Sequence, residues 1–467
     1  MTQLAISLGP QLTAEQAAAI FARGKEAVIF ALLELAKQLG EAQQGSARIS
    51  PSTPSGMVPV YQKPPAKTRS QQPGRKAGHP GTRRPPPARI DQRQEHRAEV
   101  CPDCHGPLTR CSETRTRYTE DIPENLQPVC TEHTIHRDWC RRCQKRIEPR
   151  ISAALPGSTL GNHVLVLSAW LHYGLGNTLS QVVDVFNYHL QIKVTPGGLI
   201  QQWYRLQEFL YPWYEQLQAE ALQSAVLHAD ETGWRVDGKT HWLWCFTTPR
   251  LTYYMIDRRR GSPALAEFFR EEFAGTLVSD FWGAYNFVQC GARQTCLAHL
   301  LRDLKFVEQY KRPGPGWPPF VKKLRRLLGD AIRLHKQGNR DGPEFASRRQ
   351  RLHDRLAELI DAPWQDSQAR RLIKRLRRHQ GDLFTFLDRT DVPFDNNHAE
   401  RAIRPAVIIR KNSYANRSDR GADAQAVLMS IYRSLKQRGH DPITVIRNAL
   451  TNYLSTGQLP PLPAANG

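Results

Sequence analysis

The sequence predicts a multidomain α/β protein, and three observations carry that prediction. Two Cys-x2-Cys pairs mark a small metal-stabilised module. Residues 226 to 280 read as a β-meander, a helix and a returning strand. Beyond them the chain turns polar, basic and helical in period. Its 467 residues suit about three domains. A 40% hydrophobic content is enough for a packed core.

Residues 1–43 are expected to form an N-terminal helix. Thr13 with Gln16 is a capping-box pair, and Gly40 a C-terminal stop. Ala14, Ala18, Phe21, Val28, Leu32, Leu35 and Leu39 alternate at four- and three-residue spacing, with Lys25 as a polar guest. The seam fits either a short coiled coil that pairs protomers or a helix docked on its own chain. Residues 44–96 read as a basic linker. There are ten prolines between Pro51 and Pro87, and eight Lys or Arg without an acid between Lys63 and Arg89. Proline stiffness and like-charge repulsion keep such a segment extended, suited to lie along a phosphate backbone.

Residues 97–150 form the cysteine module. Cys101, Cys104, Cys140 and Cys143 supply two x2 pairs, the spacing that turns two thiolates to one side; two such knuckles complete a tetrahedral Zn2+ site. The long gap between pairs suggests a zinc ribbon with a β-hairpin between the knuckles. Residues 151–222 are expected to be helical, with Thr195 as an N-cap and Pro196 opening a helix. The helices around that turn fit a helix-turn-helix that binds DNA, or core helices, given the bulk of Trp203, Phe209 and Trp213.

Residues 223–455 are expected as one α/β domain. Val226–Val236, Thr240–Thr247 and Leu251–Asp257 are rich in aromatic and β-branched residues and read as a three-stranded meander. A helix over Pro263–Glu272 and a strand over Gly275–Asp280 follow. That order opens a ribonuclease H-like fold. Residues 308–390 read as an all-helical insertion: positions 311–380 hold 19 Lys and Arg against 7 Asp and Glu. Residues 456–467 are left as a C-terminal tail.

Overall, 65 Lys and Arg against 44 Asp and Glu give a net charge of +21, which calls for a polyanionic partner. No apolar run approaches the roughly 18 residues of a membrane span. The N-terminus lacks the pattern of a secretory signal, so a cytoplasmic, nucleoid-associated protein is expected.

The acids focus the functional reading. Asp230 lies inside the first strand, Asp280 ends the fourth, and Glu400 sits early in a helix, with Arg401 and Arg404 beside it. Acids on two strands and a later helix make a plausible pair of Mg2+ sites. Glu231 follows Asp230 but, in a strand, is expected on the opposite face.

HADETGW, HWLWCFTTPRLTYYMIDRRRG, LVSDFWGAY, CLAHLLRDL and PFDNNHAERAIRP, in that order, resemble the DDE transposases of the insertion sequence 66 family, from about residue 97 to about residue 455. The resemblance implies that Asp230, Asp280 and Glu400 are the catalytic triad. It implies two Mg2+ (or Mn2+) ions there and one structural Zn2+. It also implies strand cleavage at an element's terminal inverted repeats, followed by attack of the freed 3′-hydroxyl on target DNA. A homo-oligomer and small accessory proteins from the same element go with that reading, and a membrane does not. His105 stands where the family's first knuckle often has glycine. Within CLAH, His299 is expected to orient the site or contact DNA rather than bind a metal. Arg401, Arg404, Arg410 and Lys411 are the candidate DNA-phosphate contacts.

Overall fold

The computed structural model describes residues 14–22, 24–29, 31–33, 87–109, 115–119, 122, 126–311, 313–337, 340 and 342–466. The chain divides into two units. The N-terminal coiled-coil seam beyond Leu33 and nearly all of the basic linker lie outside the described residues.

The expected single N-terminal helix is broken. Helix α1 covers Ala14–Phe21, and helical turns resume only at 25–29 and 31–33. Gly24 lies between them at φ +97°, a left-handed conformation that no continuous α-helix contains.

The smaller unit holds the cysteine module. Strands β1 (Asp138–Cys140) and β2 (Lys145–Ile147) pair antiparallel, Asp138 with Ile147 and Cys140 with Lys145. The hairpin therefore carries the second knuckle at its own turn instead of lying between the two. A single bridge, Val100 to Pro107, frames the first.

The larger unit, which also includes α1, continues with helix α2 (Asn162–Ala169), which runs on through a π-turn at Trp170–Gly174, and with the first turns of α3 (Leu179–Asp184). Helix α4 (Pro196–Leu222) is a core helix: Leu199, Trp203, Leu206, Leu210, Trp213 and Leu217 form its buried stripe. Both indole N–H groups are satisfied inside, Trp203 to Ser168 Oγ at 3.0 Å and Trp213 to the Pro460 carbonyl at 2.7 Å.

The meander appears as expected. Strands β3 (Val226–Val236), β4 (Lys239–Thr248) and β5 (Leu251–Asp257) pair antiparallel. Helix α5 (Ser262–Phe268) then returns the chain to β6 (Phe273–Ser279), parallel to β3. A fifth strand that the sequence pattern does not announce, β7 (Cys290–Thr295), runs parallel to β6. The sheet order is β5-β4-β3-β6-β7, with β3 at the centre.

From β7 to the third acidic motif the described chain has no strand. Helices α6 (Leu297–Tyr310), α7 (Trp317–His335), α8 (Pro343–Asp361) and α9 (Ser367–Arg378) enclose their own apolar core, which also takes in Val278 of β6. Asp366 caps α9, accepting from the N–H groups of Gln368 and Ala369. Helices α10 (Asn397–Ser413), α11 (Asp419–Gln437) and α12 (Pro442–Thr456) complete the unit.

Both sheet edges are covered. Ser430 and Ser434, four residues apart on α11, accept from the edge N–H groups of Tyr254 (2.8 Å) and Thr252 (3.0 Å). On the far edge, Gln294 of β7 accepts from Phe386 N–H at 2.9 Å. Helical cover of this kind blocks edge-to-edge pairing. The tail expected after residue 456 is docked: Leu462 is buried, and Arg438 donates to the Pro463 carbonyl at 2.7 Å.

Candidate active site

Strand register brings the first two acids together. Val226 pairs with Thr276 and His228 with Val278; continued by two residues, the register aligns Asp230 with Asp280. Parallel partners point to the same face. Asp230 is half-buried, and its carboxylate accepts from the Glu231 N–H at 2.9 Å. Asp280 is buried and accepts from the Trp282 N–H at 2.8 Å.

Glu400 arrives from the first turn of α10, where acids suit the helix dipole. Its charge, with those of Glu231 and Asp280, reaches Asp230. Burial first, then these neighbours, push the Asp230 carboxyl well above the usual range. Burial and Glu231 push Asp280 up to about 7, against the pull of Trp282 N–H, Arg260 and Arg375. Glu400 itself pairs with Arg302 of α6, and His299 Nε2 lies 3.8 Å from it. Burial, helped by Arg302 and Arg375, lowers His299 to about 4, so the ring is neutral at pH 7.

The hinge of this arrangement is Asn396, fully buried just before α10. Its side-chain amide donates to the Ala229 carbonyl (2.8 Å), and its Oδ1 lies 3.0 Å from His228 Nδ1. Its backbone N–H points at Cys296 Sγ (3.1 Å), the residue that opens α6. One asparagine thus joins the HADE, CLAH and DNNHAE segments.

A neighbouring cluster is invisible in the sequence. Glu231 is buried, accepting from Tyr285 Oη (2.7 Å) and pairing with Arg260 (3.0 Å). The Arg260 guanidinium lies between the rings of Trp242 and Trp282, 4.3 and 4.0 Å from their centroids.

The expected DNA contacts separate. Arg401, Arg404 and Lys411 are exposed on α10. Arg410 turns inward instead, donating to Thr232 Oγ1 (3.0 Å) and to the Gly233 carbonyl of β3; burial lowers its pKa.

Each cysteine knuckle is formed locally. Cys101 N–H donates to the Gly106 carbonyl at 2.9 Å, and Cys143 N–H lies 3.4 Å from Cys140 Sγ. His105 and Gln144 follow the knuckles at φ 60° and 52°. That left-handed turn explains why glycine serves well at the His105 position. N–H groups aimed at the sulfurs lower the pKa of Cys101 and Cys140, as metal-binding thiols require. Among the described residues, no three His, Cys, Asp or Glu side chains gather closely enough to hold a metal ion. In the acidic centre the third acid, Glu400, is drawn to Arg302.

A family model described as Transposase IS66 family matches residues 157–424. The chain is 24% identical over 413 residues to Uncharacterized protein y4jD of Sinorhizobium fredii, covering 79% of this chain and 77% of the relative. It is 22% identical over 382 residues to Uncharacterized protein y4hP of the same organism, covering 73% and 68%.

Proposed function

The chain belongs to the IS66 transposase family, and from that premise we propose that it cuts and joins DNA with Asp230, Asp280 and Glu400 on a ribonuclease H-like core. The observation that supports this best is the convergence of three acids from separate elements. The first, Asp230, lies on the central strand, the second at the end of its parallel neighbour, and the third in a helix, and the second and third both add to the charge felt by the first. The strand order β5-β4-β3-β6-β7, three strands antiparallel and the last two parallel to the first, supports the ribonuclease H-like reading.

The acids suit divalent metal by type, with Asp230 and Asp280 side by side and Glu400 held off by Arg302. Carboxylate oxygens are the hard ligands that Mg2+ and Mn2+ prefer. The raised affinity of Asp230 and Asp280 for protons marks a site whose crowded negative charge a cation balances. Bound there, such ions would neutralise charge on the transferred phosphoryl group. The chain's own residues do the rest. Arg302 holds the Glu400 carboxylate beside neutral His299, while Asn396 fixes α10 against β3. Arg401, Arg404 and Lys411 grip flanking phosphates. The substrates are the element's terminal inverted repeats and target DNA, handled by an oligomer with accessory proteins. The two knuckles do not close on one another as they stand, so one Zn2+ would have to draw the four thiols together, which metal analysis of purified protein and of its Cys140→Ser variant tests.

Asp280→Asn and Glu400→Gln should each abolish cleavage and strand transfer of end-bearing DNA while binding persists. Cleavage that survives in either overturns the assignment.

A further inference from the structure

Helices α7 and α8 face each other across a groove that the acidic centre does not use. Its volume is about 610 Å³. Leu327, Leu334, Leu352 and Leu359 form its buried floor. Its rims are cationic: Lys323, Arg326 and Arg333 from α7, Arg348, Arg351 and Arg355 from α8. On α8 the cations recur at three- and four-residue spacing; on α7 they fall at three- and seven-residue spacing, so each set still lies on one face. Two carboxylates of the lining, Asp330 and Glu358, and Glu344, which pairs with Arg348 at 3.7 Å, leave the six cations in excess. Asp330 ties the two walls together at mid-groove, pairing with Arg333 and with Arg355 (2.9 Å). Lys323, Arg326 and Arg351 are exposed.

Like charges aligned along two facing helices repel unless an anion lies between them. From Lys323 to Gln337 the groove runs about 21 Å at about 1.5 Å per helical residue. That length spans a few phosphates of one DNA strand. We propose that the α7–α8 groove seats a DNA phosphate backbone, apart from the strand being cut. The assignment rests on the transposase reading and deepens it. Phosphate is the ligand, so the groove positions DNA without reading its sequence.

The experiment is a salt titration of DNA binding by the full chain. It uses a duplex bearing the element end, an unrelated duplex, and the variant Lys323→Gln/Arg326→Gln/Arg351→Gln. Its control removes equal charge elsewhere: Arg235→Gln/Lys239→Gln/Arg420→Gln. The groove variant should lower the slope of log affinity against log salt by about 2 to 3 on both duplexes, since each lost phosphate contact removes about 0.9. The control should leave it unchanged. Asp330→Asn, which removes a negative charge from the groove, should tighten binding to both duplexes. A groove variant that folds normally and keeps the parent slope overturns the proposal, as does a loss equal to the control's or confined to the end-bearing duplex. If the parent chain binds neither duplex, the transposase reading itself fails.

Discussion

Asn396 donates its side-chain amide to the Ala229 carbonyl, one residue before Asp230. The third acid's helix is thereby indexed to the strand of the first. Asn396→Ala deletes that bond and the contact with His228 Nδ1, while the backbone N–H that faces Cys296 Sγ remains. A buried acceptor left unmatched costs about 1–3 kcal/mol. Denaturant unfolding should show a loss of that size. Cleavage should fall further than stability explains, because Glu400 loses its place. Unchanged cleavage at full folding would mean that α10 is positioned by other contacts.

The pH dependence of metal-free protein follows from Asp280. Its folded pKa, about 7, lies above the unfolded value of about 3.9. The folded chain therefore holds the extra proton, and stability falls as pH rises from about 4 to about 7. Asp280→Asn removes the share that Asp280 contributes and leaves that of Asp230, which is raised in the same direction. The variant should match its parent near pH 4 and exceed it near pH 8 by a few kcal/mol, on the order of 1.4 for each pH unit that separates the folded from the unfolded value. Added Mg2+ should stabilise the parent and leave the variant nearly unmoved. Thermal melts across that range, with and without Mg2+, test both statements.

Arg260→Ala should be among the more destabilising changes near the site. It strips Glu231, a buried carboxylate, of its cation and opens the space between Trp242 and Trp282. Breaking a buried pair from one side costs about 3–5 kcal/mol. Arg260→Ala/Glu231→Gln should recover part of that loss, because no buried charge is then stranded. A double variant no better than the single would show that ring stacking dominates.

Arg410→Ala separates architecture from DNA contact. Its guanidinium bonds Thr232 and Gly233, so unfolding free energy should drop by about 1–3 kcal/mol. DNA affinity at fixed salt should hold. Arg401→Gln/Arg404→Gln should do the reverse, weakening binding and sparing stability.

Much of the fold is legible in the sequence because its signals are local. THWLWCFT and LTYYMID announce strands through aromatic and β-branched side chains, and the α7 leucines announce a helix by spacing alone. Strand β7, CGARQT, has no apolar alternation; its edge is satisfied by Gln294 and the 383–386 segment, partners that lie about 90 residues away. The N-terminal heptad pattern continues through Gly24, but the backbone there does not. For the site, residue identity points to the acids, yet charge composition cannot tell that Arg410 faces inward. Nor can alternation along β3 disclose that Glu231, on the residue after Asp230, still adds its charge to both strand acids. Those facts depend on tertiary distance.

The insertion also sets a timetable. Cys296 and Asn396 touch, although 100 residues separate them, and the intervening helices must emerge from the ribosome first. At about 5–20 residues per second, that interval is about 5–20 s. During it, a nascent chain displays Asp230 and Asp280 without Glu400. The third acid therefore joins the other two only after the basic helices α7 and α8 already exist.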